Sequence, residues 1–298
     1  MRSRAAWAAV CLASIWAAPA PASPWTRAAG DYYLNVSYAR IRASSYFDST
    51  GAVRELPSAY SQQVVAIYGE LGVVDRWLTL VADWQALRAV RQEGLGSEAG
   101  VGDLRLGATT GLVRGPLVVS ASVIAGLPIG DPAPASSPGH PGSGLNLQTG
   151  SGDFSLEGRL EAGHGFGGAA TQGYWSLGAG WRKRGISPRS GTEPTPETGR
   201  YEDQILTGFE VGLRFLHPGW ERWWFSFRAA GLYPLGAAGQ AVDSYSGLRA
   251  GTRYTALVLG ADMRVAGRVH LGGKAEGALG PREVPRTIHL KVYAAVGK

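Results

Sequence analysis

Long stretches of this chain alternate with a period of two, with charge confined to one face and apolar or small side chains to the other. In residues 103–112, Leu104, Leu106, Ala108, Thr110 and Leu112 oppose Asp103, Arg105, Gly107, Thr109 and Gly111. From residue 153, Phe154, Leu156, Gly158, Leu160 and Ala162 oppose Asp153, Ser155, Glu157, Arg159 and Glu161. The same sorting recurs at 204–215, 223–233, 257–264, 271–276 and 288–292. Alternate side chains of a strand point to opposite faces, so this pattern reads as half-polar β-strands and not helices. A soluble sandwich also alternates. Its inner face is bulkier than Gly, Ala and Thr allow, and its polar face meets water. The expected fold is therefore all-β, a closed antiparallel transmembrane β-barrel whose apolar face meets lipid.

Counting such segments gives about twelve strands, near residues 32–46, 60–72, 77–87, 102–112, 117–129, 151–164, 173–184, 202–216, 223–234, 252–265, 268–278 and 286–297. Connection lengths are a second signal. Short turns are expected at 73–76, 113–116, 167–172, 217–222 and 266–267, and longer loops at 48–57, 88–100, 131–148, 186–200, 235–251 and 280–285. Five short turns and six longer loops suit an even-stranded barrel with both termini in the periplasm. No plug segment is expected ahead of the first strand.

The first residues carry Arg2 and Arg4, then a short apolar run to Ala17 and the string Ala18-Pro19-Ala20-Pro21-Ala22-Ser23. This pattern predicts a signal peptide over residues 1–22, cut after Ala22, and a single outer-membrane barrel domain over 23–298. Export of this kind delivers the chain to outer-membrane lipid through the barrel-assembly machinery. The one cysteine, Cys11, falls inside the predicted signal, and the five histidines are dispersed. Disulfides, thiolate chemistry and a clustered metal site are therefore not expected, and no cofactor is implied. The net charge of +6 falls to about +4 without Arg2 and Arg4, too balanced to argue for nucleic acid. The 44 glycines are about twice the usual share, which suits small residues on barrel walls.

A cation facing lipid at mid-membrane costs about 2 to 4 kcal/mol, so mid-strand charges are assigned to the lumen. The candidates are Glu70, Asp83, Arg105, Glu157, Arg159, Glu161, Glu210, Arg214, Arg228, Asp262, Arg264, Lys274, Glu276 and Lys291. Aromatics near strand ends are assigned to the interfacial girdle: Trp77, Trp175, Trp181, Trp220, Trp223 and Tyr233, with Tyr32, Tyr33 and Trp224 grouped beside them. The run Trp220-Glu-Arg-Trp-Trp-Phe225 abuts a short turn, where a belt is expected in preference to a ligand-stacking platform. His270 and His289 are expected to face inward on adjacent strands with no serine beside them. No Gly-x-Ser-x-Gly elbow occurs, so an enzyme is not expected. Gly100-Val-Gly-Asp103 and Gly150-Ser-Gly-Asp153 precede strands where a phosphate loop needs a helix, so they read as loop-to-strand entries.

Three motifs carry a family likeness: Gly100-Val-Gly-Asp-Leu-Arg-Leu-Gly107, Gly126-Leu-Pro-Ile-Gly-Asp131 and Gly150-Ser-Gly-Asp-Phe-Ser-Leu156. With Tyr68-Gly-Glu-Leu-Gly-Val-Val-Asp-Arg76 upstream, this region resembles outer-membrane proteins of the phenol-degradation meta-pathway family, which are distantly similar to fatty-acid and aromatic-hydrocarbon channels. The resemblance implies a barrel serving uptake of small hydrophobic or aromatic molecules, and assigns no binding residue. Two further readings stand beside this passive channel. One is a structural or surface barrel with a plugged lumen, for which inward pairs such as Arg264 with Glu276 would speak. The other is an outer-membrane lipid hydrolase, which would need a Ser–His pair within about 3 Å.

Overall fold

The computed structural model describes residues 24–132, 147–186, 202–235 and 252–298. The predicted signal peptide, and most of the predicted loops over 131–148, 186–200 and 235–251, lie outside them.

Among the described residues every regular element is a strand. In order these are β1 (Tyr32–Phe47), β2 (Val53–Val74), β3 (Leu78–Gln92), β4 (Gly96–Gly100), β5 (Leu104–Val113), β6 (Leu117–Leu127) and β7 (Phe154–Gly167). They are followed by β8 (Thr171–Ile186), β9 (Gln204–Phe215), β10 (Trp223–Pro234), β11 (Arg253–Ala266), β12 (Val269–Arg282), β13 (Val284–Pro285) and β14 (His289–Gly297). All pairings are antiparallel. β1 pairs with β2 on one side and β14 on the other, which closes the sheet into a barrel and leaves no edge.

The fourteen segments fill twelve barrel positions. β4 and β5 both pair with β3 and make one interrupted strand, and β13 and β14 both pair with β1 and make another. The first interruption is a tight crossing in which the Gly102 amide donates to the Gln85 carbonyl at 2.7 Å. A Cβ on Gly102 would lie 2.6 Å from Gln85 Cβ, so only glycine fits.

Short turns join β2 to β3, β5 to β6, β7 to β8, β9 to β10 and β11 to β12, and β1 begins and β14 ends at this short-turn end of the barrel. Gly219 (φ 88°) and Gly267 (φ 50°) supply the left-handed backbone that two of the turns require.

Three expected loops are largely strand. β2 begins at Val53, β3 runs on to Gln92 and pairs with β4, and residues 280–285 are absorbed into β12 and β13. Their Gly, Ser and Glu content suggested loop. A hairpin that continues past the apolar belt needs only backbone hydrogen bonds to persist, not alternating apolar residues.

Outward positions carry an exposed apolar surface that includes Leu80, Val123, Leu160, Leu177, Leu259, Leu290 and Val292. The one hydrophobic cluster among the described buried residues sits at the opposite, long-loop end. There Ala43, Leu56, Tyr60 and Val90 pack with Leu147 from the β6–β7 connection. Leu147, Gln148 and Thr149 of that connection turn inward, and Asp131, Thr149 and Gly150 tie its two described arms together by backbone and hydroxyl hydrogen bonds.

The expectation of no plug segment is corrected. Residues 24–31 cross the lumen at the short-turn end. The strap is pinned by Thr26 Oγ1 donating to the Arg76 carbonyl (2.5 Å) and the Arg27 amide donating to Thr79 Oγ1 (2.8 Å). The Arg76 amide donates to the Arg27 carbonyl (2.9 Å). Glycines clear its path: a Cβ on Gly72 would overlap the Ala28 carbonyl, and one on Gly163 would lie 2.5 Å from Pro24 and 2.8 Å from Trp25. A strap of this kind carries no period-two signal.

Candidate functional site: the barrel lumen

The candidate site is a cavity of about 490 Å³ enclosed by the strands. Eleven predicted lumen residues line it: Glu70, Asp83, Arg105, Arg159, Glu161, Glu210, Arg228, Asp262, Lys274, Glu276 and Lys291. Glu157 lies just behind them, 1 % exposed in its side chain. Arg214 and Arg264 sit at the short-turn rim, where Arg214 Nε donates to the Glu221 carbonyl at 2.7 Å and the Arg264 amide to the Arg222 carbonyl at 2.9 Å. The suggested Arg264–Glu276 pair does not form. In register Arg264 faces His270, and Glu276 faces Val258 and His289.

The long-loop half of the cavity is organised by Glu157 on β7. Its Oε2 accepts from Arg105 Nη2 on β5 (2.7 Å) and from Arg182 Nε on β8 (2.8 Å), and Arg159 of the same strand closes on Oε1. Arg105 also lies 3.7 Å from Asp83 on β3. Glu157 and Asp83 offset at most two of the three guanidinium charges, so this wall keeps a positive surplus toward the lumen. The arginines stay partly exposed at 19–30 %, and water can share their solvation.

The short-turn half is built from tyrosine–carboxylate pairs. Tyr68 Oη donates to Glu70 Oε1 (2.5 Å), Tyr174 Oη to Glu210 Oε1 (2.6 Å), and Tyr293 Oη to Asp262 Oδ2 (3.0 Å). Asp262 also meets His270 Nδ1 at 2.7 Å. From the strap, Arg27 Nε donates to Glu70 Oε2 at 2.5 Å, and the Trp25 ring meets Tyr174 edge-on at 5.7 Å. Trp224 follows Tyr174 at 6.0 Å. The lumen thus runs from a cationic wall at the long-loop end to a ring-lined, carboxylate-bearing region at the other, partly covered by the strap.

These lumen aromatics correct the sequence reading. Tyr33, 4 % exposed, and Trp224 were grouped with the girdle, yet both line the cavity. Parity was the available signal. Tyr33 shares its face with Asn35, Tyr68 with Glu70, Trp224 with Ser226 and Arg228, and Tyr293 with His289 and Lys291. Glycines on the neighbouring strand were a second signal. Tyr174 lies over Gly212 and Tyr293 over Gly272, where any Cβ would collide with the ring. Arg182 was missed because its strand alternates weakly through Gly178 and Gly180.

The six girdle candidates are on the outer wall. Trp77 (51 % exposed), Trp175, Trp220 and Trp223 lie toward the short-turn end, and Trp181 and Tyr233 toward the other. Arg114 stacks 3.7 Å above the Trp77 ring, and Trp223, Phe225 and Trp220 form one aromatic patch. His270 and His289 both line the cavity on paired strands; His289 Nδ1 is 3.9 Å from Glu276 Oε1.

The glycine–aspartate motifs converge on the long-loop rim. Asp103 Oδ2 accepts from the Ser151 amide (2.8 Å) and hydroxyl (2.7 Å), and Asp153 accepts from Arg184 Nε (3.1 Å) and Nη2 (3.2 Å). Gly130 and Gly150 touch closely enough that a Cβ on either would fall 2.6–2.7 Å from the other's Cα. The motifs therefore fasten the inward-turned connection to the barrel and hold no helix N-terminus.

No protein family model and no curated protein matches the chain. Among solved structures it is similar to the COG4313 outer membrane channel from Pseudomonas putida F1, with a TM-score of 0.63 at 15 % identity over 94 % of this chain and 100 % of that one. Weaker likenesses are to the β domain of the Bordetella autotransporter BrkA (TM-score 0.46, 11 % identity, 91 % of this chain and 100 % of that one) and to the NanC porin (0.45, 5 %, 89 % and 99 %). The first likeness shows the shared barrel fold; the other two add nothing to it.

Proposed function

We propose that the protein is an outer-membrane channel, inserted with its termini and short turns toward the periplasm, that passes small hydrophobic or aromatic molecules. The observation that carries this reading is the enclosed cavity, with its arginine wall and its run of tyrosine and tryptophan rings, inside a barrel whose outer surface is apolar. Rings stack on aromatic walls, and tyrosine hydroxyls and arginines offer hydrogen bonds to a polar substituent. Such a lining suits a planar solute better than an ion with a full hydration shell. The fold shared with the Pseudomonas putida channel supports the same reading.

Liposome swelling by the refolded barrel tests it. Solute entry above that of empty liposomes is expected, and none with either polar or aromatic solutes would defeat it. A second reading, a structural barrel with a closed lumen, is favoured by one specific observation, the strap at residues 24–31. It predicts no entry until the strap is released, whereas the channel reading predicts entry in the intact chain.

A further inference from the structure

The outward face of β1 changes character partway along its length. Leu34, Val36 and Tyr38 are exposed and apolar, whereas Arg40 and Arg42, the next two outward positions toward the long-loop end, are exposed and cationic. Both point away from the lumen, because Ala39, Ile41 and Ala43 alternate with them and lie on the inner side. An arginine in the middle of a lipid-facing strand is costly, so these two positions mark where hydrocarbon ends.

The register assembles more positive charge beside them. Arg42 faces Ser61 on β2, Ser61 faces Arg91 on β3, and Arg91 faces Ser97 on β4, giving one outward row of arginine, serine, arginine, serine. Strand spacing puts the Arg42 and Arg91 backbones about 10 Å apart, with a small hydroxyl side chain between them. On the other side of β1, Thr287 Oγ1 donates to the Arg42 carbonyl at 2.7 Å and the Arg286 amide to the Ser45 carbonyl at 2.9 Å, so exposed Arg286 flanks the row. Among the described residues no side-chain ion pair or hydrogen bond occupies Arg40, Arg42, Arg91 or Arg286.

No acid interrupts the patch. The outward positions of β14, β1, the Ser61–Leu71 part of β2 and β3 hold no Asp or Glu, and the nearest exposed acids, Glu55 and Glu93, lie beyond it toward the hairpin tips. Immediately below are exposed Tyr38, Leu87, Leu290 and Val292. Four arginines and two serines thus border a wall that accepts acyl chains. Guanidinium forks match phosphate oxygens in pairs, and side chains spaced at about 7 and 10 Å can reach more than one phosphate on one headgroup.

We infer that Arg40, Arg42, Arg91 and Arg286, with Ser61 and Ser97, form an outer-wall site for the phosphorylated headgroup of an outer-leaflet glycolipid whose acyl chains lie on the apolar strands below. This rests on the proposed insertion, with the long-loop end facing outward. It is independent of what the lumen passes.

The test uses the full mature chain, refolded in detergent and titrated with bisphosphorylated lipid A, the same lipid dephosphorylated, and phosphatidylglycerol. Tight retention of the bisphosphorylated lipid alone is expected. The Arg40→Gln/Arg42→Gln/Arg91→Gln variant should lose about fivefold in affinity per arginine removed. Arg286→Gln alone is a milder variant that keeps the test valid if the triple one does not refold, as judged by heat-dependent gel migration. Lys183→Gln, on the outer face of β8, should change nothing. Equal retention of the dephosphorylated lipid, phosphatidylglycerol held as tightly, or an unchanged affinity in a folded variant would each overturn the site. Liposome swelling separates the outcomes, because a parent chain that passes solute but does not retain the bisphosphorylated lipid defeats this site and leaves the channel reading standing.

Discussion

Replacing Glu157 by glutamine should destabilise the barrel by about 3 to 5 kcal/mol while leaving its strands paired. The magnitude follows from the geometry. Three guanidinium groups close on one carboxylate that is 1 % exposed, with contacts of 2.7 to 2.8 Å to Arg105 and Arg182. At charge separations of about 4 Å and an effective dielectric of about 20, each attraction is worth about 4 kcal/mol. The three arginines repel one another with or without the carboxylate, and what offsets more than half of that gain is the desolvation of Glu157 at 1 % exposure, which costs several kcal/mol. Removing the carboxylate leaves only the repulsion, partly relieved because the arginines reach lumen water. The remainder matches the usual cost of stripping one member from a buried ionic cluster. Reversible urea unfolding in lipid vesicles, followed by tryptophan fluorescence, measures it. A Glu157→Gln barrel within about 0.5 kcal/mol of the parent would show that the arginines are held by strand geometry and not by the carboxylate. The second control is Glu157→Gln combined with Arg159→Gln, which should recover part of the loss by removing one of the repelling charges.

Three further outcomes are expected. Leu259→Arg, at an outward position of β11 that is 64 % exposed, should cost about 2 to 4 kcal/mol of folding stability in vesicles and far less in a soluble sandwich; a negligible cost would argue that this face meets water. Gly72→Val should expel the strap, because even a Cβ there overlaps the Ala28 carbonyl, and single-channel conductance should rise about twofold or more; an unchanged conductance would mean that the strap does not limit the pore. Asp48, in the β1–β2 turn beyond the apolar belt, has its carboxyl held below the ordinary carboxylate range by the Thr50 hydroxyl first and then by Arg54. A depressed native pKa stabilises the turn above the unfolded value of about 4, and that contribution is lost as pH falls through the native value. Protection of the Gly51 and Ala52 amides from exchange should therefore persist at pH 5 and fall only well below pH 4, and Asp48→Asn should lower it at pH 5 and above, where the parent carboxylate is charged.

The histidine pair illustrates how far strand parity carries. Position along an alternating segment was enough to turn His270 and His289 inward on adjacent strands, and to place Glu161, Arg228 and Lys274 around a common cavity. The same parity pointed at Tyr33, Trp224 and Tyr293. A preference of aromatics for strand ends was allowed to override it for Tyr33 and Trp224, and both rings turned out to line the cavity. Composition misled again at 88–100, where Gly and Glu suggested a loop and an antiparallel partner made a strand.

By itself the sequence determined that the chain is a closed barrel of twelve strand positions and which face of most strands bears charge, because a period of two and the cost of exposing charge to lipid are local properties. Only the tertiary structure decided which charges meet. Glu157 gathers Arg105, Arg159 and Arg182 from three strands, Arg42, Ser61 and Arg91 fall into one row, and residues 24–31 thread past Gly72 and Gly163. Each of these depends on register and closure, which relate residues tens of positions apart and leave no period for a sequence to display.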